Sequence, residues 1–268
     1  MNEWILPQGE AAALMPGASY SLPGLFLYSK LIYQCLDQVQ DKFGYAIPVR
    51  YLYGSPKVLW NCGRLIITDN HYTREEIYQE LAGAKARGIT PLLTFSAPVL
   101  SQEDLADPAG NAILSMADEV GGGVIVSTPL LRDYIRAKYP NIEVHASVIM
   151  TAFPEQRDES YYASLAREYD RFVVHPDDNF RLDLLEKIPK DRAEIILNER
   201  CVYQCHQRKQ HYLSIVEDQA ALIQGDGELT HFLDRCPNVP DFKQHASKAR
   251  NISLTAEEAV RLQGMGFS

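Results

Sequence analysis

Cys201 and Cys205 stand four residues apart inside NERCVYQCHQRKQHY (198–212), and His211 follows six residues after Cys205. On a helix the two sulfurs would project along one face. Thiolates in such a pair suit Zn²⁺ or an iron–sulfur cluster, since both take soft sulfur ligands. Cys236, with Cys62 from far upstream, would complete four sulfur ligands; Cys201, Cys205 and His211 with one more group would suit zinc. The opposing reading is that these are structural thiols without a metal. A cysteine nucleophile, Cys205 or Cys62 activated by His206, His211 or His145, is a further option, but it needs a base in contact and a lowered thiol pKa. A serine hydrolase fits less well, because no G-x-S-x-G elbow occurs.

Proton-handling and anion-binding groups lie elsewhere. Glu199 follows the apolar run AEIILN, where a carboxylate can hold a cation, take a proton, or pair with Arg64 or Arg200. In a strand, Glu143, His145 and Ser147 share one face and Val144, Ala146 and Val148 the other, so His145 would point away from the helices that the apolar face meets. A neutral imidazole there can bind metal, move protons or orient a substrate; the alternative is a core histidine bonded to backbone. His175 ends a short apolar run, and the Pro176, Asp177, Asp178, Asn179 that follow read as a turn. Asn61, Cys62, Gly63 and Arg64 form a polar group between hydrophobic stretches. Arg64 would grip a carboxylate or phosphate through its planar fork or pair with Asp69. Asn198 and His211 complete the expected substrate contacts.

These residues need a scaffold that gathers distant segments, and the hydrophobic rhythm supplies one. Helical spacing over 26–43 ends at Gly44. Strand-like runs follow at 47–55, 89–96, 124–128, 142–150, 171–176 and 193–199, with a further apolar run at 59–67. Between them lie helical patterns at 73–88, about 109–119, 129–140, 160–170 and 181–189. Thr73 and Glu76 form a capping box, and Pro129 sits at a first helical turn. Alternation of this kind requires parallel strands joined by helical crossovers. The residues after 199 have room for two more units, ending in a helical pattern at 254–266. The predicted fold is an α/β, TIM-like (β/α) barrel, incomplete or irregular in its last third, with the reactive strand ends converging on one rim. An open doubly wound sheet is the competitor, but no G-x-G-x-x-G follows a strand, and the glycine triplet at 121–123 precedes one. Residues 1–46 read as an irregular lead-in and a helix, and 47–268 as the barrel with a Cys/His-rich segment at 201–250.

Composition limits what the barrel does. The 268 residues carry 26 basic and 35 acidic side chains, a formal charge of −9, which disfavours nonspecific nucleic-acid binding. Five cysteines are too few and odd in number for a secreted disulfide framework. No apolar stretch reaches membrane-span length, and the N-terminus lacks the features of a signal peptide, so a cytoplasmic location is expected. The expected partners are a small-molecule substrate and an electron donor.

LYGSPKVLWNCGR (52–64), ILNERCVYQCHQRKQHY (196–212) and ISLTAEEAVRLQGMGF (252–267) together resemble the U32 peptidase-like family. The resemblance implies a TIM barrel. For several branches it implies oxygen-independent hydroxylation in quinone biosynthesis or RNA modification, with a [4Fe-4S] cluster on four cysteines. Cys201 and Cys205 match the family's close pair, and Cys62 its cysteine after the first strand. The family's further cysteine, about a dozen residues before the pair, has no counterpart, and Cys236 is the replacement on offer. Longer relatives continue past the segment that ends here at Ser268, which implies a truncated or minimal family member. The leading expectation is an iron–sulfur enzyme in which Arg64 binds an anionic group while Glu199 and His145 or His175 manage protons. The alternatives are a zinc or other divalent-metal hydrolase or lyase on His145, His175 and Glu199, and a non-catalytic binding or assembly protein with a structural metal.

Overall fold

The computed structural model describes residues 17–61, 72–199, 201–225 and 252–268. Seven parallel strands form one curled sheet in sequence order: β1 (Tyr20–Pro23), β2 (Val49–Gly54), β3 (Thr90–Phe95), β4 (Gly123–Val126), β5 (Glu143–Ala146), β6 (Arg171–Val173) and β7 (Ala193–Glu194). The crossovers include α2 (Arg74–Ala86), α3 (Pro108–Glu119), α4 (Pro129–Lys138), α5 (Glu159–Glu168) and the short α6 (Leu182–Leu185). The order is completed by α1 (Ser29–Phe43) between β1 and β2, and by α7 (Arg208–Gln224) and α8 (Ala256–Gly264) after β7. This is an incomplete TIM-like barrel: β1 and β7 are the two edges and do not pair with each other.

Local chemistry sets these boundaries. Thr73 Oγ1 accepts the Glu76 amide at 3.2 Å while Thr73 N donates to Glu76 Oε2 at 2.8 Å, so α2 starts on the expected capping box. Thr255 and Glu258 repeat the device on α8. Pro129 opens α4 behind the Thr128 cap. The glycine triplet has a backbone role: Gly121 adopts φ +67° after α3, and a Cβ on Gly123 would stand 2.8 Å from the Glu143 carbonyl oxygen. Along the strands Leu52, Leu93, Val124, Val126, Val144, Ala146 and Phe172 are buried in the main hydrophobic core with helix residues such as Leu81, Leu114, Leu131 and Tyr162. The intervening residues turn inward, as the two-residue period dictates.

Three features differ from the sequence reading. The lead-in holds a strand, since β1 pairs with β2 in parallel; four residues flanked by glycine and proline are too short to stand out by periodicity. The run at 193–199 gives only a two-residue strand. Beyond it, the Ile196 and Leu197 carbonyls accept hydrogen bonds from Asn179 Nδ2 (3.3 Å) and from the Leu254 amide (2.7 Å). Residues 59–61 form a 3₁₀ turn instead of beginning a strand, and the rest of that run lies outside the described residues.

Candidate functional site

Because β1 and β7 stay apart, a chamber of about 480 Å³ remains inside the barrel. Its walls come from inward-facing strand residues: Tyr53 of β2, Leu92 and Thr94 of β3, Ile125 of β4, Val173 of β6 and Glu194 of β7, with Ser96 and Ser147 just beyond β3 and β5. Residues 18–23 and 193–198 flank it, and Ala259, Leu262, Gln263 and Phe267 from α8 and its C-terminal end close one side. The lining is mainly apolar with scattered hydroxyls, as ligand chambers commonly are.

Behind the chamber lies a buried polar cluster that the sequence reading found only through His145. His145 is 1% exposed. Its Nε2 meets Glu143 Oε1 at 3.0 Å, and its Nδ1 lies 3.2 Å from Glu194 Oε1, an ion-pair contact off the line of an ideal hydrogen bond. Tyr51 donates to Glu143 at 2.5 Å and accepts from Arg171 Nε at 3.1 Å. Ser21 Oγ reaches across from β1 to Glu194 Oε2 at 3.2 Å. Burial disfavours the imidazolium, but Glu143 and Glu194 outweigh it and hold the His145 pKa above its ordinary value. Burial likewise opposes ionisation of Glu143, yet hydrogen bonds from His145 and Tyr51 bring its pKa down to about 2. Glu194 is also lowered: burial resists, and His145, Arg171 and Ser21 prevail. Tyr51 is raised to about 12 by burial and by its bond to Glu143. With His145 protonated, two carboxylates face two cations. The inward alternation of β5 signals Glu143 and His145 in the sequence; no local pattern links them to Tyr51, Arg171 or Glu194.

His175 does not join His145. It caps the turn 176–180, its Nδ1 accepting the Asp177 amide at 3.2 Å. Burial and the charges of Arg157 and Arg208 push its pKa down to about 2, which keeps it neutral and removes it from proton traffic near neutral pH. The two aspartates beside it are more than turn formers. Asp178 accepts from Arg157 Nε and from the Tyr162 hydroxyl, both at 2.7 Å, and Asp177 Oδ1 accepts from the Gln204 amide at 3.1 Å. Asp177 thereby ties the end of β6 to the cysteine segment, and Asp178 ties it to α5 and the loop before it. His145, His175 and Glu199 therefore form no common ligand set, and among the described residues no group of three or more His, Cys, Asp or Glu side chains is arranged to hold a metal.

Asn61 is fully buried: Nδ2 donates to the Pro56 carbonyl at 3.0 Å, and Oδ1 accepts from Thr94 Oγ1 at 3.3 Å. It fastens its loop to β3 and is absent from the chamber wall, in contrast to the expected substrate contact. Asn198 does line the chamber. Glu199 accepts the Cys201 amide at 3.1 Å through Oε1, and its carbonyl accepts from Ser253 Oγ at 2.7 Å. His211 is half-buried and stacks on Tyr212, a chamber residue, with ring centroids 6.1 Å apart. Burial lowers the His211 pKa against the opposing charge of Glu199.

Cys201 and Cys205 come together as half-buried thiols in no disulfide. Burial pushes Cys201 up to about 12, and its hydrogen-bonded neighbour Cys205 adds to the shift against the charge of Arg208. The expected four-thiolate set would need two further sulfurs. Cys62, Cys236 and Arg64 lie outside the described residues.

No family model matches the chain, and no curated protein does. Among solved structures the chain is similar to a U32 peptidase, Mk0906, with a TM-score of 0.55 over 91% of this chain and 90% of that one. Sequence identity across the match is 14%, so the likeness is one of fold. The U32-like resemblance read from the three sequence segments thus holds for the barrel architecture, and no metal or activity comes with it.

Proposed function

We propose that the chain is a barrel enzyme that takes a small, largely apolar molecule into the chamber and modifies it by redox chemistry at a metal centre on Cys201 and Cys205. The observation that carries this reading is the link between chamber and thiols: Asn198 lines the chamber, the next residue Glu199 accepts the Cys201 amide, and the lining residue Tyr212 stacks on His211. It lies at the C-terminal ends of the strands, where barrels place their chemistry.

The environment of Cys201 favours ligation by that thiol over attack by it. Burial pushes its pKa up to about 12, which makes it a poor attacking group at neutral pH. A metal ion ligated by the same sulfur deprotonates it outright. An iron–sulfur centre would supply one-electron chemistry there. Glu199, through its bond to the Cys201 amide, fixes the loop that carries the pair, while Asn198 and the hydroxyl-bearing walls orient the bound molecule.

Anaerobic purification followed by iron, zinc and acid-labile sulfide analysis tests the proposal. Iron and sulfide near four each per chain, lost in Cys201→Ser and Cys205→Ser proteins that keep the wild-type circular dichroism spectrum, is the expected result. Stoichiometric zinc without sulfide, or no bound metal after iron–sulfur reconstitution, would overturn the redox assignment.

A further inference from the structure

Among the described residues lining the chamber, Glu194 carries the single carboxylate side chain, and there is no lysine, arginine or histidine side chain. Its side chain keeps 20% of its surface open. One oxygen is directed at His145, and the other, Oε2, accepts from Ser21 at 3.2 Å. A carboxylate oxygen has room for a second donor. Behind it, His145 lies between Glu143 and Glu194, and Arg171 donates to the Tyr51 hydroxyl that also holds Glu143. Glu194 already has Ser21 and His145 as protein partners, so a ligand need not bring a cation. A ligand bringing an anion would meet a carboxylate and, among the described lining residues, no positive side chain in a mainly apolar enclosure, where burying an unpaired charge is costly.

We infer that Glu194 is the specificity-determining residue of the chamber, anchoring the O–H or N–H donor end of an otherwise apolar ligand and excluding molecules that present a carboxylate or phosphate there. This deepens the reading of the chamber as the substrate site and rests on it. It is distinct from the anion-binding role expected of Arg64, which lies outside the described residues. Alcohols, amides, phenols and amines on a hydrocarbon or aromatic body are the chemical class that satisfies both the walls and the carboxylate.

Three probes with one tail and different heads test this: 1-octanol, octylammonium and octanoate, titrated by isothermal calorimetry below their aggregation concentrations. The expected order places octanol and octylammonium at least about tenfold tighter than octanoate, the scale of about 1.4 kcal/mol in binding free energy. Glu194→Gln should narrow the octanoate gap to within about threefold and weaken octylammonium. The wild-type order stands as a test even if that variant folds poorly. Val173→Phe, which fills the chamber from β6, should abolish all three. Equal binding of the three heads, or octanoate binding tightest, overturns the role of Glu194 while leaving the chamber as a ligand site. Failure of all three to bind, or binding that persists in Val173→Phe, overturns the chamber reading itself.

Discussion

Replacing His145 with leucine preserves bulk but removes the imidazolium from between Glu143 and Glu194. The structure fixes the scale of the loss. His145 is 1% exposed, so the pair is shielded from water on the histidine side, while Glu143 and Glu194 keep 30% and 20% of their side-chain surface open. Breaking one member out of a buried ion-pair set costs about 3–5 kcal/mol. The remaining bonds from Tyr51, Arg171 and Ser21 and the partial exposure place this case near the lower end, about 3 kcal/mol. At roughly 2–4 °C per kcal/mol for a chain of this size, the melting temperature should fall by about 6–12 °C. The loss has a pH signature. The His145 pKa is raised above 6.5, so its contribution is complete below that value and lost as pH rises through the raised pKa. The Glu143 and Glu194 pKa values are lowered, so their contributions are present above 4.5 and lost as pH falls toward the depressed values. The cluster is at full strength between pH 4.5 and 6.5. Thermal melts of wild type and His145→Leu followed by circular dichroism should therefore differ by their full amount at about pH 5.5 and converge as pH rises through the raised His145 pKa. A difference under about 2 °C at about pH 5.5 would mean that His145 is a neutral packing residue.

Two further outcomes follow from the same reasoning. Asp178→Ala strands Arg157 and the buried Tyr162 hydroxyl, both at 2.7 Å from the carboxylate. It should cost about 3–5 kcal/mol in chemical denaturation, whereas Asp177→Ala should mainly loosen the cysteine segment, read as faster hydrogen exchange at 201–208. Thr255→Ala removes the capping box of α8; a loss of about 1 kcal/mol in helix stability should raise amide exchange across Ala256–Gly264 and weaken octanol binding, because Ala259, Leu262 and Gln263 line the chamber.

The barrel was legible because its signals are local and repeated. Apolar strand centres such as VIV at 124–126, the Thr73 cap and Pro129 each fix one element, and the elements recur in an order that leaves few topologies. The site was legible in fragments. His145 was found because β5 alternates strictly, and Cys201 with Cys205 because their spacing is short. Arg171 and Tyr51 were not found. Each occupies an ordinary strand position, and the Tyr51–Arg171 bond spans 120 residues of sequence. His175 misled for the converse reason: a histidine at a strand end is in the right place for chemistry, and only the Asp177 amide on its Nδ1 shows it spent as a cap. Glu194 drew no notice because a glutamate opening AEIILNE reads as the polar start of a strand. Its meaning depends on β7 stopping after two residues and on Ser21 bonding to it from the opposite edge.

Those two edges explain why a hollow exists at all. A closed barrel fills its interior with layers of branched apolar side chains, and closure removes the unpaired strand edges that invite aggregation. Here β7 ends early and residues 195–198 leave the ladder, so backbone pairing cannot close the seam between β1 and β7. A side-chain bond from Ser21 to Glu194 spans it instead, and α8 lines the chamber. Along β2, β5 and β6 the bulky polar residue precedes the chamber residue by two positions: Tyr51 before Tyr53, His145 before Ser147, Arg171 before Val173. The volume toward the strand N-termini is thus occupied by Tyr51, His145 and Arg171, and the volume toward the C-termini is left to Thr94, Ser96 and Ser147, which are too small to fill it. The polar cluster is in this sense the floor of the chamber: its internal charge balance lets it remain buried, and its bulk confines the open space to the end of the barrel where Asn198 leads to the thiols.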